Sequence, residues 1–389
     1  MSVNNMTFEQ AATLMNAIHQ QVTGDTSITA TDVSSFITVG QLTLQQGFDP
    51  VVNAISQILG RTIFSIRPYN AKFKGLQMDS QTWGAITRKI AISDKPFEDN
   101  EAFNLVDGQS IDMYTVNKPA PVQFNFYGAQ LFAKSFTIFK NQLNSAFSNW
   151  ESFAEFMTMV TQNALDMVEQ AKESMARMAL GNFIAGKITA SNGVIHLLTE
   201  YNSEVGGSFT STTIKDPDNF PAFIKWVYAR IATLTSLMTE RSLEYQIQVT
   251  GHELVRHTPF DRQKVYLYNW LLNNIDARVL ADTYNYKFLE FADVEAVNYW
   301  QAIEDPDEIN ILPTYLKTDG TLDSPLTAVS QTDIMGVIFD EEAIGITVMD
   351  EEIAMTPYNP KGGYWNEFMK FQIRYQNDFT EKGLVLILD

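Results

Sequence analysis

The chain has 389 residues, 45% of them apolar and 12% aromatic, which excludes a disordered protein and allows two or three cored domains. It carries 46 acidic against 27 basic residues, a formal net charge of −19, and a surface of that sign repels nucleic acid rather than gripping it. There is no cysteine, so disulfides, thiolate metal sites and thiol nucleophiles are excluded. Met1–Gln10 shows no basic region followed by an apolar run, and no window approaches about 18 consecutive apolar residues, so neither a secretion signal nor a membrane span is legible.

Thr7 with Gln10 predicts a capped first helix carrying Phe8, Ala12, Met15, Ile18 and Val22 and stopping at Gly24. Asp25–Gly47 is rich in Thr, Ser and Gln without a sustained period, and reads as an extended arm. Asp49-Pro50 opens a short helix that Gly60 closes. Such a beginning has little core of its own and is expected to lie on a neighbour. From Thr62 to Phe126 the period becomes two, as in Ile86/Arg88/Ile90/Ile92, with β-rich runs at Lys72–Met78 and Gln109–Val116. This is long β-hairpin material, expected to project and pack against something else. Phe132–Phe139 is a further strand.

Ser148–Gly186 is the most strongly helical stretch. Ser148 and Glu151 form a capping-box signature, and Phe153, Met157, Val160, Ala164, Val168, Ala171, Met175 and Met178 recur on one face. Unless Gly181 breaks it, the helix is on the order of 55 Å long, and Gly186 with Lys187 is its expected stop. Thr189–Phe209 reads as a loop or hairpin, Phe223–Leu243 as a helix opened by Asp218 and Pro221, and Tyr245–Val249 as a strand. Asp261 is expected to cap a helix through Tyr266, Leu267, Trp270 and Leu271, while Phe288–Phe291 and Ile309–Leu312 read as strands. The end of the chain is β-rich: Gly336–Phe339, Ile346–Met349, Phe368–Tyr375 and Leu384–Leu388, with the terminus tied into a sheet.

Order and content together resemble the major capsid protein of tailed bacteriophages. The resemblance rests on Gly336-Val337-Ile338-Phe339-Asp340-Glu341-Glu342-Ala343-Ile344-Gly345, on Asn366–Asp389, and on Phe132–Ile138 leading into the long helix. It implies an α+β, Hong Kong 97-like capsid fold. The divisions would be an N-terminal arm (1–61), an extended β-hairpin loop (62–127) and a peripheral domain with a spine helix (128–191). An axial domain (192–334), peripheral return strands (335–378) and a C-terminal strand (379–389) would follow.

It also implies a non-enzymatic shell subunit, assembled in the host bacterial cytoplasm into hexamers and pentamers of a virion capsid around double-stranded DNA. Partners would be copies of itself, a portal protein, decoration proteins and weakly held DNA, without a membrane. Fewer than about 65 residues precede the hairpin, too few for a fused scaffolding domain, so a separate scaffolding protein is expected. Some family members crosslink a hairpin Lys to a neighbour's Asn. Lys72, Lys74 and Lys89 are candidates here, but Phe371 occupies the Asn position in the C-terminal strand. The rivals are an encapsulin-type compartment and, in another class, a hydrolase.

No residue is assigned a catalytic, cofactor-binding or metal-binding role. His252-Glu253-Leu254-Val255-Arg256-His257 misses the zinc-protease H-E-x-x-H spacing by one residue, which puts the two His about 140° apart on a helix. Gly181 to Lys187 has P-loop spacing, but a helix precedes it and Ile188 replaces the Mg²⁺-holding Ser or Thr. Asp340, Glu341, Glu342, Asp350, Glu351 and Glu352 could pair for acid–base chemistry or bind a cation, yet read as solvated turns.

Overall fold

A computed structural model describes residues 6–65, 73–79, 86–92, 104–111, 114, 116, 118, 121–279, 293–325 and 327–389. Three helices open the chain: α1 (Phe8–Thr23), α2 (Val33–Gln45) and α3 (Phe48–Ser65). The strands β1 (Ile86–Ile92) and β2 (Pro121–Tyr127) form the hairpin, and β3 (Gln130–Phe139) and α4 (Lys140–Ala146) lead to α5 (Trp150–Thr189). Next come β4 (Val194–His196), α6 (Leu197–Val205), α7 (Phe220–Thr239), β5 (Gln263–Tyr268), α8 (Asn269–Val279) and β6 (Asp293–Val297). The short strands β7 (Ile309–Ile311), β8 (Tyr315–Leu316), β9 (Leu322–Asp323) and β10 (Val329–Gln331) precede β11 (Ile334–Asp340), β12 (Ile344–Met355), β13 (Tyr364–Asn377) and β14 (Gly383–Ile387).

The arm departs from expectation. Thr7 and Gln10 do form the capping box of α1, and Gly24 ends it in the left-handed conformation at φ 74°. The stretch read as extended contains α2, capped by Asp32 and Ser35. Its Thr, Ser and Val content weakens intrinsic helicity, but Phe36, Val39, Gly40 and Thr43 fall on one buried stripe that tertiary packing rewards. Gly60 does not stop α3. These helices also dock on their own chain rather than waiting for a neighbour. Phe8 meets Trp150 edge-on at 5.6 Å, Phe36 meets Phe153 at 5.6 Å, and Trp365 Nε1 donates to Asp49 at 2.5 Å. Phe36, Val39, Val51, Val52 and Ile55 are fully buried, each contributing about 1.5–3 kcal/mol.

The long helix is real and unbroken. α5 has 40 residues, which is about 60 Å at 1.5 Å per residue. Its N-cap is Asn149, whose side chain accepts from the Glu151 amide, while Ser148 donates to the Ser145 carbonyl instead. Gly181 and Gly186 lie inside the helix as points of close approach. A Cβ on Gly181 would overlap Ile311, and one on Gly186 would come within 2.6 Å of the Phe379 ring and 2.9 Å of Tyr315 Cβ.

Two larger sheets are built around this rod. One is antiparallel, in the order β12-β13-β3; the other is β4-β14-β11-β5-β6, parallel at its two outer pairs and antiparallel within. The five-stranded sheet is buried on both faces. Val337, Phe339, Val385 and Ile387 face the core of the spine and arm, whereas Met335, Ile338, Leu384 and Leu386 face a second core with α6, α7 and α8. The expected division at 334/335 falls inside β11, which pairs with β14 and β5 and not with the β12-β13-β3 sheet.

Three further local readings change. Residues 189–209, read as a loop or hairpin, contain β4 and α6. Tyr245–Val249 is not a strand; it makes only a bridge from Val249 to His252. Tyr266 and Leu267 belong to β5, with α8 starting at Asn269, because Tyr266 packs into one core and Leu267 into the other. Residues 288–291 lie outside the described residues.

Candidate assembly surface

In the hairpin, β1 and β2 pair in register from Ile86↔Tyr127 to Ile92↔Pro121. The period of two puts Ile86, Arg88, Ile90 and Ile92 on one face, and that face is open to solvent. Ile90 is 68% exposed and Ile92 59%, and Tyr127 beside them is 69% exposed. Further along the same excursion Val106, Tyr114 and Val116 are exposed as well. A self-contained domain turns such a row inward. The inward face mixes Val122, Phe124 and Phe126 of β2 with the polar Thr87 and Lys89 of β1. Thr87 accepts from the Arg374 guanidinium, and Lys89 Nζ lies 2.5 Å from Glu381, 2.8 Å from Asp378 and 3.1 Å from Glu342. Asp378 and Glu381 are buried between β13 and β14, and the surrounding carboxylates hold Lys89 well above the usual lysine range despite its burial.

The acidic run at 340–342 is less solvated than its sequence suggests. Asp340 is buried, and Arg262 pairs with Glu341 at 2.9 Å and Glu342 at 2.5 Å. Burial opposes ionisation of Glu342, but Lys89 and Arg262 outweigh it and lower its pKa. Glu352 faces Lys370 at 3.7 Å; the side chains of Asp350 and Glu351 lie outside the described residues. The described carboxylates of these runs are thus held by cations: Asp340, Glu341 and Glu342 by Arg262, Glu342 also by Lys89 of the hairpin, and Glu352 by Lys370.

The other motifs also take structural places. His252 and His257 sit in turns around the Val249–His252 and Ser242–Arg256 bridges, not on a helix. Among the described residues no three His, Asp or Glu side chains gather as a metal site. The P-loop lookalike is helix interior. Lys187 is fully buried and donates to the Tyr245 carbonyl at 2.8 Å and Asn192 Oδ1 at 3.2 Å, and desolvation pushes its pKa down to about 7. Of the crosslinking candidates, Lys72 and the Lys74 side chain lie outside the described residues, Lys89 is held as above, and Phe371 stacks on Phe132 at 5.3 Å. No helix among the described residues is long and apolar enough to cross a membrane.

Two groups escaped the sequence reading. Asp378 and Glu381, which hold Lys89, are 289 and 292 positions away. Glu367 lies on the buried face of β13 with Trp365, Met369 and Phe371, and desolvation pushes its pKa up to about 7, opposed by the Ser56 hydroxyl. The alternation along β13 was the available signal, since period two sets Glu367 among those apolar residues.

A docked arm, a rod-like helix beneath a three-stranded sheet, a second cored sheet, and a hairpin with an apolar outer face define the Hong Kong 97-like fold of phage capsid proteins. Among solved structures, the capsid structure of Staphylococcus phage Andhra matches with a TM-score of 0.54 at 11% identity, over 82% of this chain and 84% of that one. A chain in the structure of the head fibre and inner core protein of native bacteriophage P68 matches at 0.54 and 10%, over 82% and 84%. No curated protein matches significantly. The sequence model of the Phi29-like phage major capsid protein family matches residues 13–381, and this chain belongs to that family. It is a structural protein of the virion capsid shell.

Proposed function

We propose that copies of this subunit assemble in the host cytoplasm into hexamers and pentamers of an icosahedral head that encloses double-stranded DNA. The observation that carries the reading is the hairpin's outer row, Ile86, Ile90, Ile92 and Tyr127, which its own chain leaves exposed. Apolar rows of this kind are covered by a partner, and in a shell of identical subunits the partner is another copy. In this reading the arm is part of the subunit body and the hairpin alone laces neighbours. The division into peripheral and axial domains then falls at the Asp340–Ala343 turn, where the chain leaves one larger sheet for the other. An excess of 19 negative charges would leave packaged DNA weakly held. A separate scaffolding protein, a portal protein and decoration proteins complete the expected set of partners.

Ile90→Asp tests this. Because Ile90 is mostly exposed, the variant subunit should keep its melting temperature while shells disappear from negative-stain micrographs. Shells forming as well as in the parent would refute the lacing role. Protein cargo in place of DNA in purified particles would favour the encapsulin-type compartment.

A further inference from the structure

The hairpin is fastened to its own body through charge. Lys89, on the inner face of β1, sits among Glu342, Asp378 and Glu381 at 3.1, 2.8 and 2.5 Å, and the Arg374–Thr87 contact lies on the same face. Two observations make the lysine contact releasable.

Each carboxylate has a second partner that stays with the body. Glu381 lies 3.3 Å from Arg256, and Glu342 lies 2.5 Å from Arg262. Asp378 Oδ1 accepts from the Thr380 amide at 2.9 Å and its hydroxyl at 2.6 Å. Breaking a buried ion pair is costly chiefly when it strands a charge. Withdrawing Lys89 leaves Glu381 and Glu342 beside arginines and Asp378 held through Oδ1 by Thr380, and the lysine's own side chain, already partly exposed, returns to water.

The root of the hairpin also has room to move. A cleft of about 630 Å³ runs along β2, between Phe124 and Phe126 on the hairpin and Ile373, Tyr375 and Leu322 on the body. Packed interiors leave no such space, so Phe124 and Phe126 stay only partly buried and hold the hairpin there loosely. Gly128, between β2 and β3, has φ 91°, a conformation that glycine takes without strain, and it is placed to act as the pivot.

We propose that Lys89 is a releasable latch that sets the angle of the hairpin against the subunit body. With the lysine seated among the three carboxylates, the hairpin is held in one orientation. With it withdrawn, the hairpin turns about Gly128 and can meet neighbours at different angles. This goes beyond the shell role, and it is tested on unassembled subunits, so it can fail while that role stands.

The absence of native cysteine allows two spin labels to be placed cleanly. Ile90→Cys on the hairpin and Met159→Cys on α5, both mostly exposed, report the hairpin-to-spine distance in the full chain. At low salt the parent should give one narrow distribution. Lys89→Met should broaden it or shift it by at least about 5 Å, a hinge-scale displacement, and Lys89→Arg should restore it. Should Lys89→Met fail to fold, Lys89→Gln, which keeps a polar side chain but removes the charge, gives the same readout. A narrow, unshifted distribution in Lys89→Met, or in Lys89→Gln, overturns the latch.

Discussion

Lys187 provides the sharpest test of the energetics at the centre of the molecule. Its ammonium is fully buried beside Phe183, with two neutral acceptors and no carboxylate in contact. Desolvation lowers its pKa from 10.5 to about 7, and the more distant Asp378 offsets this only in part. The folded state therefore releases a proton that the unfolded chain keeps between those two values. Stability is lowest at and below about pH 7 and rises as pH climbs toward about 10, with a slope of about 1.4 kcal/mol per unit where the difference is a full proton. Summed over that window, the gain is about 4 kcal/mol. Urea denaturation of unassembled subunits at a series of pH values should show the rise, and Lys187→Met should abolish it. The variant will be less stable at high pH, where the Tyr245 carbonyl and Asn192 lose a donor. The reasoning fails if Lys187→Met keeps the parent's slope between about pH 7 and pH 10.

Glu367 has the opposite sign. Its pKa is raised from 4.5 to about 7, so the folded state holds an extra proton and stability falls as pH rises through that window; in Glu367→Gln the urea midpoint should stay flat there. The two spine glycines should differ. Gly186→Ala drives a methyl into the Phe379 ring and Tyr315 Cβ and should cost about 1–3 kcal/mol. Gly181→Ala meets only the flexible end of Ile311, and the helix propensity gained, up to about 1 kcal/mol, should leave it near neutral; thermal melts decide both.

What could be read from the sequence follows from how many levels of the chain agreed. The spine was legible because helical period and the absence of proline coincide across it, although its caps were misplaced: Asn149 and not Ser148 opens it, and it runs past Gly186 to Thr189. β11 and β14 were legible for another reason: a strand buried on both faces is apolar throughout, and Val337-Ile338-Phe339 and Leu384-Val385-Leu386-Ile387 are such runs. In β5 the same property misled, since Val265-Tyr266-Leu267 is too short to separate a buried strand from a helical turn. α2 was missed because polar and β-branched residues hide a stripe that only Phe36, Val39 and Thr43 reveal, and its partners Phe147 and Phe153 lie more than a hundred residues downstream. The alternation of β1 was visible, but nothing local distinguished which face would meet the body.

That last ambiguity bears on how the subunit joins its neighbours. An arm left unfolded would make assembly supply most of the subunit's core and link folding tightly to shell formation. Here the arm is already paired with α5 through Phe8–Trp150 and Phe36–Phe153, so the body can fold before it meets a second copy. The hairpin is arranged differently: Thr87 and Lys89 join its inner face to the body while Phe124 and Phe126 beside them stay only partly buried, and Ile86, Ile90 and Ile92 face outward. Burying Ile86, Ile90 and Ile92 more fully would yield up to about 1.5–3 kcal/mol each at every contact between copies that covers them. A closed shell can therefore draw its cohesion from many weak, identical contacts made by subunits that are already folded.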